Sequence, residues 1–220
     1  MKKFLLGVSF LFCGIVSQAQ DLGRPVSVGA KVGANMANIW NDIDHTTGNV
    51  YGANIGVMTN IHLTKKHALQ LELNYSGKGF ERTSEQHTKN TLHYAELPFL
   101  YQRSFFSHKK GGHLAEKNRT GNVYFILGPQ LSILLKSSMK FTGPEAGGET
   151  MDMYVNTRPF DMSAVGGLGY NLRNGFVVDA RYALGLRHLH TGSETAYIPQ
   201  DVTNTAFQLS VGYLLPVKFH

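Results

Sequence analysis

Residues 26–38 read Val-Ser-Val-Gly-Ala-Lys-Val-Gly-Ala-Asn-Met-Ala-Asn. Val26, Val28, Ala30, Val32, Ala34 and Met36 fall on one face, and Ser27, Gly29, Lys31, Gly33 and Asn35 fall on the other. Successive side chains of a strand point to opposite sides, so this period of two predicts a β-strand with one apolar and one polar face. A helical period of 3.6 does not fit it.

The same pattern recurs along the chain. Tyr51 to Leu63 sets Tyr51, Ala53, Ile55 and Val57 against Gly52, Asn54 and Gly56. Ala68 to Phe80 sets Leu69, Leu71, Leu73 and Tyr75 against Gln70, Glu72, Asn74, Ser76 and Lys78. Further segments are Asn122 to Lys136, Arg158 to Leu172, Phe176 to Arg187 and Thr205 to Phe219. Thr91 to Arg103 is less regular: Leu97, Phe99 and Tyr101 share a face, while Leu92 and Tyr94 sit out of phase. That break predicts a bulge or a strand start near Ala95, and Pro98 cannot donate a ladder bond. The total is about eight strands, an even number as in bacterial outer-membrane barrels.

The connections alternate in length. Thr64-Lys65-Lys66-His67 and Arg173-Asn174-Gly175 are tight turns, and Asn-Gly is a strong hairpin signal. Ile39 to Val50, Glu81 to Asn90, Ser137 to Thr157 and His188 to Asn204 read as long polar loops. Short turns on one rim and long loops on the other are the pattern of a barrel with a periplasmic and an extracellular end. Ser104 to Gly121 breaks it, being long and basic (Lys109, Lys110, Lys117, Arg119) on the short-turn side.

Composition agrees with a β-rich chain. Of 220 residues 24 are glycine, and 16% are charged against about 25% in an ordinary soluble domain. Such a chain is neither an acidic disordered segment nor a coiled coil. The basic Met1-Lys2-Lys3, the apolar run Phe4 to Val16 and the small residues Ser17-Gln18-Ala19 together predict a secretory signal over residues 1–19, leaving residues 20–220 as one barrel domain. Losing Lys2 and Lys3 lowers the formal charge from +6 to +4, and Cys13, the single cysteine, leaves with the signal. That mild basic balance gives no argument for a nucleic-acid partner on an exported chain.

Two barrels remain. A soluble lipocalin-like carrier alternates too, with its apolar residues turned inward around a ligand and charged residues outside. Here the polar face is mostly Gly, Ser, Asn and Gln, which suits a narrow lumen, and the apolar face suits lipid with aromatic girdles. The expectation is all-β: an eight-stranded antiparallel up-and-down transmembrane β-barrel in the outer membrane, with the lipocalin-like carrier as the alternative.

His93-Tyr94-Ala95-Glu96-Leu97-Pro98-Phe99-Leu100 resembles the Y-x-E-[IL]-P-x-L strand of the PorT-like outer-membrane β-barrel family. Phe160-Asp161-Met162 with Gly166-Gly167-Leu168-Gly169 is similar to its glycine-rich sixth strand, and Asp179-Ala180-Arg181-Tyr182 with Leu184-Gly185-Leu186 to its penultimate strand. The likeness runs from Val26 to Phe219; it departs at the C-terminus, where His220 follows the aromatic. The resemblance implies a Bacteroidota-type outer membrane and an eight-stranded barrel. The family's namesake is associated with protein secretion.

On face parity, Lys31, Glu72, Glu96, Asp161, Asp179, Arg181 and Arg187 point inward. Opposite charges in a narrow lumen are expected to pair into a polar plug, since an unpaired buried charge is costly. The expected pair is Glu96 with Arg181. Trp40, Tyr154 and Tyr197 lie in the loops as candidate partner contacts. His188 and His190 show no metal-ligand spacing, no nucleophile elbow is present, and no helix follows Gly33 to make a phosphate loop. No enzyme, cofactor or metal is therefore expected. The expected partners are outer-membrane lipid and other envelope proteins, reached through the outer loops or within an envelope or secretion assembly.

Overall fold

In the computed structural model, residues 26–40, 47–83, 87–105, 121–142, 150–151, 160–172, 174–186 and 203–217 are described. They form β1 (Val26–Trp40), β2 (Thr47–His62), β3 (His67–Thr83), β4 (His87–Ser104), β5 (Gly121–Thr142), the two-residue β6 (Thr150–Met151), β7 (Phe160–Leu172), β8 (Phe176–Gly185) and β9 (Thr203–Val217). The eight long strands pair antiparallel in the cyclic order β1-β2-β3-β4-β5-β7-β8-β9. β9 returns to β1 along its full length, from Val26↔Val217 to Trp40↔Thr203. β6 only extends the β5 edge, through Met139↔Met151 and Lys140↔Thr150. Closure matters because lipid offers no hydrogen bonds to an open sheet edge.

The apolar face is outward. Val32, Ile55, Leu127 and Leu168 are each exposed by more than half, while the neighbours Lys31, Asn54, Ile126 and Gly167 turn into the barrel. That orientation overturns the lipocalin-like alternative, which requires the apolar side chains around an internal ligand. Aromatic contacts gather near the short-turn ends: Tyr101 against Phe125 (6.2 Å), Phe105 against Phe125 (6.0 Å) and Phe176 against Tyr213 (5.0 Å). Rings with a polar edge favour the boundary between hydrocarbon and water.

The turns follow local chemistry. Thr64 Oγ1 accepts from the backbone N–H of Lys66 (3.2 Å) and His67 (3.1 Å), which closes the β2–β3 hairpin. Gly175 sits at φ 94°, the conformation that an Asn-Gly hairpin needs and that a side chain resists.

β4 departs from the sequence expectation. It is one unbroken strand, and Leu92, Tyr94, Glu96, Pro98 and Leu100 are all inward and buried. Leu92 and Tyr94 are thus in phase with Glu96; they read as misplaced only because apolar residues were assigned to the outside. The irregularity lies in the partner: β4–β5 pairing passes from His93↔Lys136 to Tyr94↔Leu134, so Leu135 is the extra residue of a bulge in β5. Opposite Pro98 the β3–β4 ladder skips from Leu71↔Phe99 to Asn74↔Glu96 without changing register.

The described residues of the expected loops Ile39 to Val50 and Glu81 to Asn90 are strand. β1 and β2 reach Trp40 and Thr47, and Thr47↔Arg82 and Thr83↔His87 continue the ladders. The hydrophobic alternation stops there while the backbone pairing goes on.

Candidate functional site in the barrel lumen

Inward positions of the eight strands fill the lumen with side chains. On the short-turn side Met58, Leu100, Tyr124, Ile126 and Val177 form an apolar cluster that continues to Val165 and Ala183, with Leu214 packed against it. Eight strands leave an interior about wide enough for such packing and no more. Glycines make room where a side chain crosses to another strand. A Cβ on Gly169 would lie 2.2 Å from Tyr124 Cζ, so the tyrosine ring occupies the space a side chain on β7 would need.

Glu72, fully buried, is the hub of the charged layer. Its Oε1 takes Gln70 Nε2 at 2.6 Å and Arg181 Nη2 at 2.7 Å. Its Oε2 takes Lys31 Nζ at 2.7 Å, Arg181 Nη1 at 2.9 Å and Asn74 Nδ2 at 2.9 Å. Arg181 also holds Asp179, with Nε 2.6 Å from Oδ1 and Nη2 donating to Oδ2 at 3.1 Å. Two-pronged guanidinium–carboxylate contacts are among the strongest charge-assisted hydrogen bonds.

A second pair joins Lys78 Nζ to Glu96 Oε1 at 2.6 Å, and the same ammonium lies 5.9 Å from the centroid of the Tyr94 ring. Beside it Asn35 donates to Ser76 Oγ (2.8 Å) and to the Gly77 carbonyl (3.1 Å), while Asn54 donates to Asn35 Oδ1 (2.9 Å). Asp161 is buried at the start of β7 and accepts from the Met162 N–H at 2.7 Å.

Six of the seven charges placed inward by parity therefore face the lumen: Lys31, Glu72, Glu96, Asp161, Asp179 and Arg181. The seventh, Arg187, lies outside the described residues, as do Tyr154, Tyr197 and the segment 1–19; Trp40 ends β1 opposite Thr203. The pairing of Glu96 with Arg181 is corrected: Arg181 binds Glu72 and Asp179, and Glu96 binds Lys78. Parity tells inside from outside, but height in the lumen is set by register, and Asn74↔Glu96 places Glu96 one inward step past Glu72. Lys78 was missed as a lumen charge although it shares the face of Gln70, Glu72, Asn74 and Ser76, which was signal enough. Among the described residues no group of three or more His, Cys, Asp or Glu side chains could hold a metal ion.

The sequence model of the family described as "Outer membrane protein beta-barrel domain" matches residues 18–191. The chain belongs to this outer-membrane β-barrel family. It is an outer-membrane protein, and its exposed apolar wall is its contact with lipid. OprG from Pseudomonas aeruginosa shares the architecture at TM-score 0.52 and 9% identity, covering 88% of this chain and 97% of that one. Neisserial surface protein A aligns at TM-score 0.47 and 14% identity, covering 86% and 96%. Ail of Yersinia pestis, the attachment invasion locus protein, solved with the heparin analogue sucrose octasulfate, aligns at TM-score 0.45 and 16% identity, covering 86% and 99%. No curated protein matches the chain. At 9% identity the likeness to OprG shows the fold alone and assigns no activity.

Proposed function

We propose that this outer-membrane barrel is a non-enzymatic scaffold whose lumen is a polar plug and whose work is done at its extracellular rim. The observation that carries the reading is the Lys31–Glu72–Arg181–Asp179 cluster, which spans the interior above an apolar layer. Charges paired in this way brace a wall; a conducting path needs charged groups that stay wet. The strands that rise past the apolar band then serve as a stalk presenting the outer loops. Trp40, Tyr154 and Tyr197 are the aromatic side chains best suited to grip a partner there.

The finer assignment rests on resemblance. The Glu96-Leu97-Pro98 strand and the Arg181-Tyr182 strand support a PorT-like barrel of a Bacteroidota-type envelope, exported by a signal over residues 1–19 and joined to other envelope or secretion components. Two measurements test this reading. In planar bilayers the folded protein shows no stable conductance steps; steady opening overturns the plug. Cross-linking in intact envelopes captures a protein partner that is lost when 41–46, 152–159 or 188–202 is deleted; an unchanged capture after every deletion overturns the rim as the working surface.

A further inference from the structure

The geometry points to a binding site for the phosphate headgroup of an anionic phospholipid at the short-turn end of β3, β4 and β5. Lys65 and Lys66 are exposed in the β2–β3 turn, and Arg103 is exposed at the end of β4. The Ser104 N–H donates to the Lys66 carbonyl at 2.8 Å, which ties that turn to β4 beside Arg103. His67, Arg103 and Phe125 form one cross-strand row, and Leu69, Tyr101 and Leu127 form the next outward-facing row toward the membrane centre. A cationic row thus lies directly against an apolar one.

The rings between them are held in place. His67 Nδ1 is hydrogen-bonded to the Tyr101 hydroxyl, and their ring centroids are 5.7 Å apart. Phe125 lies against both Tyr101 and Phe105. Aromatic side chains of this kind mark the edge of the hydrocarbon, where headgroups begin. Residues 61–71, 97–105 and 121–131 contain no Asp or Glu. Among the described residues the Lys–Glu and Arg–Asp pairs are in the lumen, so the rim cations face the lipid without an acidic partner among those segments. A lipid fits the whole patch: its phosphate meets Lys65, Lys66 and Arg103, and its acyl chains run along Leu69, Tyr101 and Leu127.

Electron spin resonance on the folded protein in phosphatidylcholine vesicles provides the test. The vesicles carry trace spin-labelled phosphatidylglycerol or spin-labelled phosphatidylcholine, and the motionally restricted fraction of each is compared. The site predicts a preference for phosphatidylglycerol of at least about fivefold, the contribution of one cation near an anionic headgroup. Lys65→Gln/Lys66→Gln/Arg103→Gln brings the preference close to one, and Arg103→Gln alone lowers it if the triple variant does not fold. Lys136→Gln, on the outer wall toward the long-loop end, leaves it unchanged. Equal restriction of both lipids by the wild type, or a preference that survives in Arg103→Gln and the triple variant, overturns the site. Inorganic phosphate that abolishes the preference at constant ionic strength would assign the patch to a soluble anion and overturn the lipid assignment.

Discussion

Arg181 on β8 and Glu72 on β3 are 109 residues apart in the chain and meet in a two-pronged pair, at 2.9 and 2.7 Å. Between their strands in the barrel wall stand β2, β1 and β9. The pair therefore ties two separated parts of the wall through the interior. Lys31 on β1 and Asp179 on β8 complete a cluster of alternating sign. The arrangement has the form of a cross-brace.

Removing both sides of the brace should cost less than the two one-sided breaks added together. Arg181→Leu leaves Glu72 and Asp179 buried without their main partner and is expected to cost about 3–5 kcal/mol. Arg181→Leu with Glu72→Leu leaves Lys31 and Asp179, which are of opposite sign. The double variant should then be more stable than the two single losses added together, with a coupling of about 1–3 kcal/mol. Urea unfolding in vesicles, read by heat-modifiable gel mobility, checks this; simple additivity would mean that the two side chains act independently.

The glycines of β7 offer a contrast within four residues. Gly169→Ala places a methyl 2.2 Å from Tyr124 Cζ and should cost about 1–3 kcal/mol through overpacking. Gly166→Ala meets only Leu127 Cδ1, at 3.8 Å, and should change stability by less than about 0.5 kcal/mol. Replacing Tyr124 by Leu in the Gly169→Ala background should recover much of the loss. Equal costs at positions 166 and 169 would show that Tyr124 does not occupy the Gly169 space.

Much of this was legible in the sequence, for a simple reason. Inside the membrane one face of each strand meets acyl chains and the other meets the lumen, so the alternation over Val26 to Asn38 and Phe176 to Arg187 declares both strand and face, even with Val177 and Ala183 apolar on the inner side. The signal fades toward the strand ends. At Thr47 to Val50 and Glu81 to Thr83 apolar and polar residues no longer alternate, and nothing in residue type separates a paired strand from a loop. Leu92 and Tyr94 differ: they are apolar yet inward, since the lumen of a narrow barrel also needs bulk. The partners of Glu96 and Arg181 were hidden because they depend on register across non-neighbouring strands, which alternation leaves undetermined.

The β7–β8 turn is a point of backbone strain for any residue but glycine. Gly175 has φ 94°, and a Cβ there would approach the Leu214 carbonyl oxygen to 2.6 Å. The Leu214 N–H also donates to the Gly175 carbonyl at 2.8 Å, so the turn is pinned to β9. Gly175→Ala is expected to cost about 1–2 kcal/mol, from the left-handed conformation alone. Asn174→Ala removes only an exposed 3.3 Å side-chain bond to the Phe176 N–H and should cost less. A shift in the urea midpoint that is larger for Asn174→Ala than for Gly175→Ala would contradict the turn geometry.

Lys31 and Val32 are neighbours in the chain and face opposite environments. Lys31 is buried against Glu72, whereas Val32 is 58% exposed on the outer wall, between Ile55 and Val211. Val32→Lys puts an ammonium into hydrocarbon near mid-membrane and is expected to cost about 2–4 kcal/mol. Val32→Leu, which keeps the wall apolar, should be within about 0.5 kcal/mol of wild type. The comparison is made by the fraction folded into vesicles across a urea series. If the outer wall met water instead, a lysine at position 32 would be solvated like any surface lysine and would cost almost nothing. The size of that one substitution therefore reads out which side of the barrel is wet.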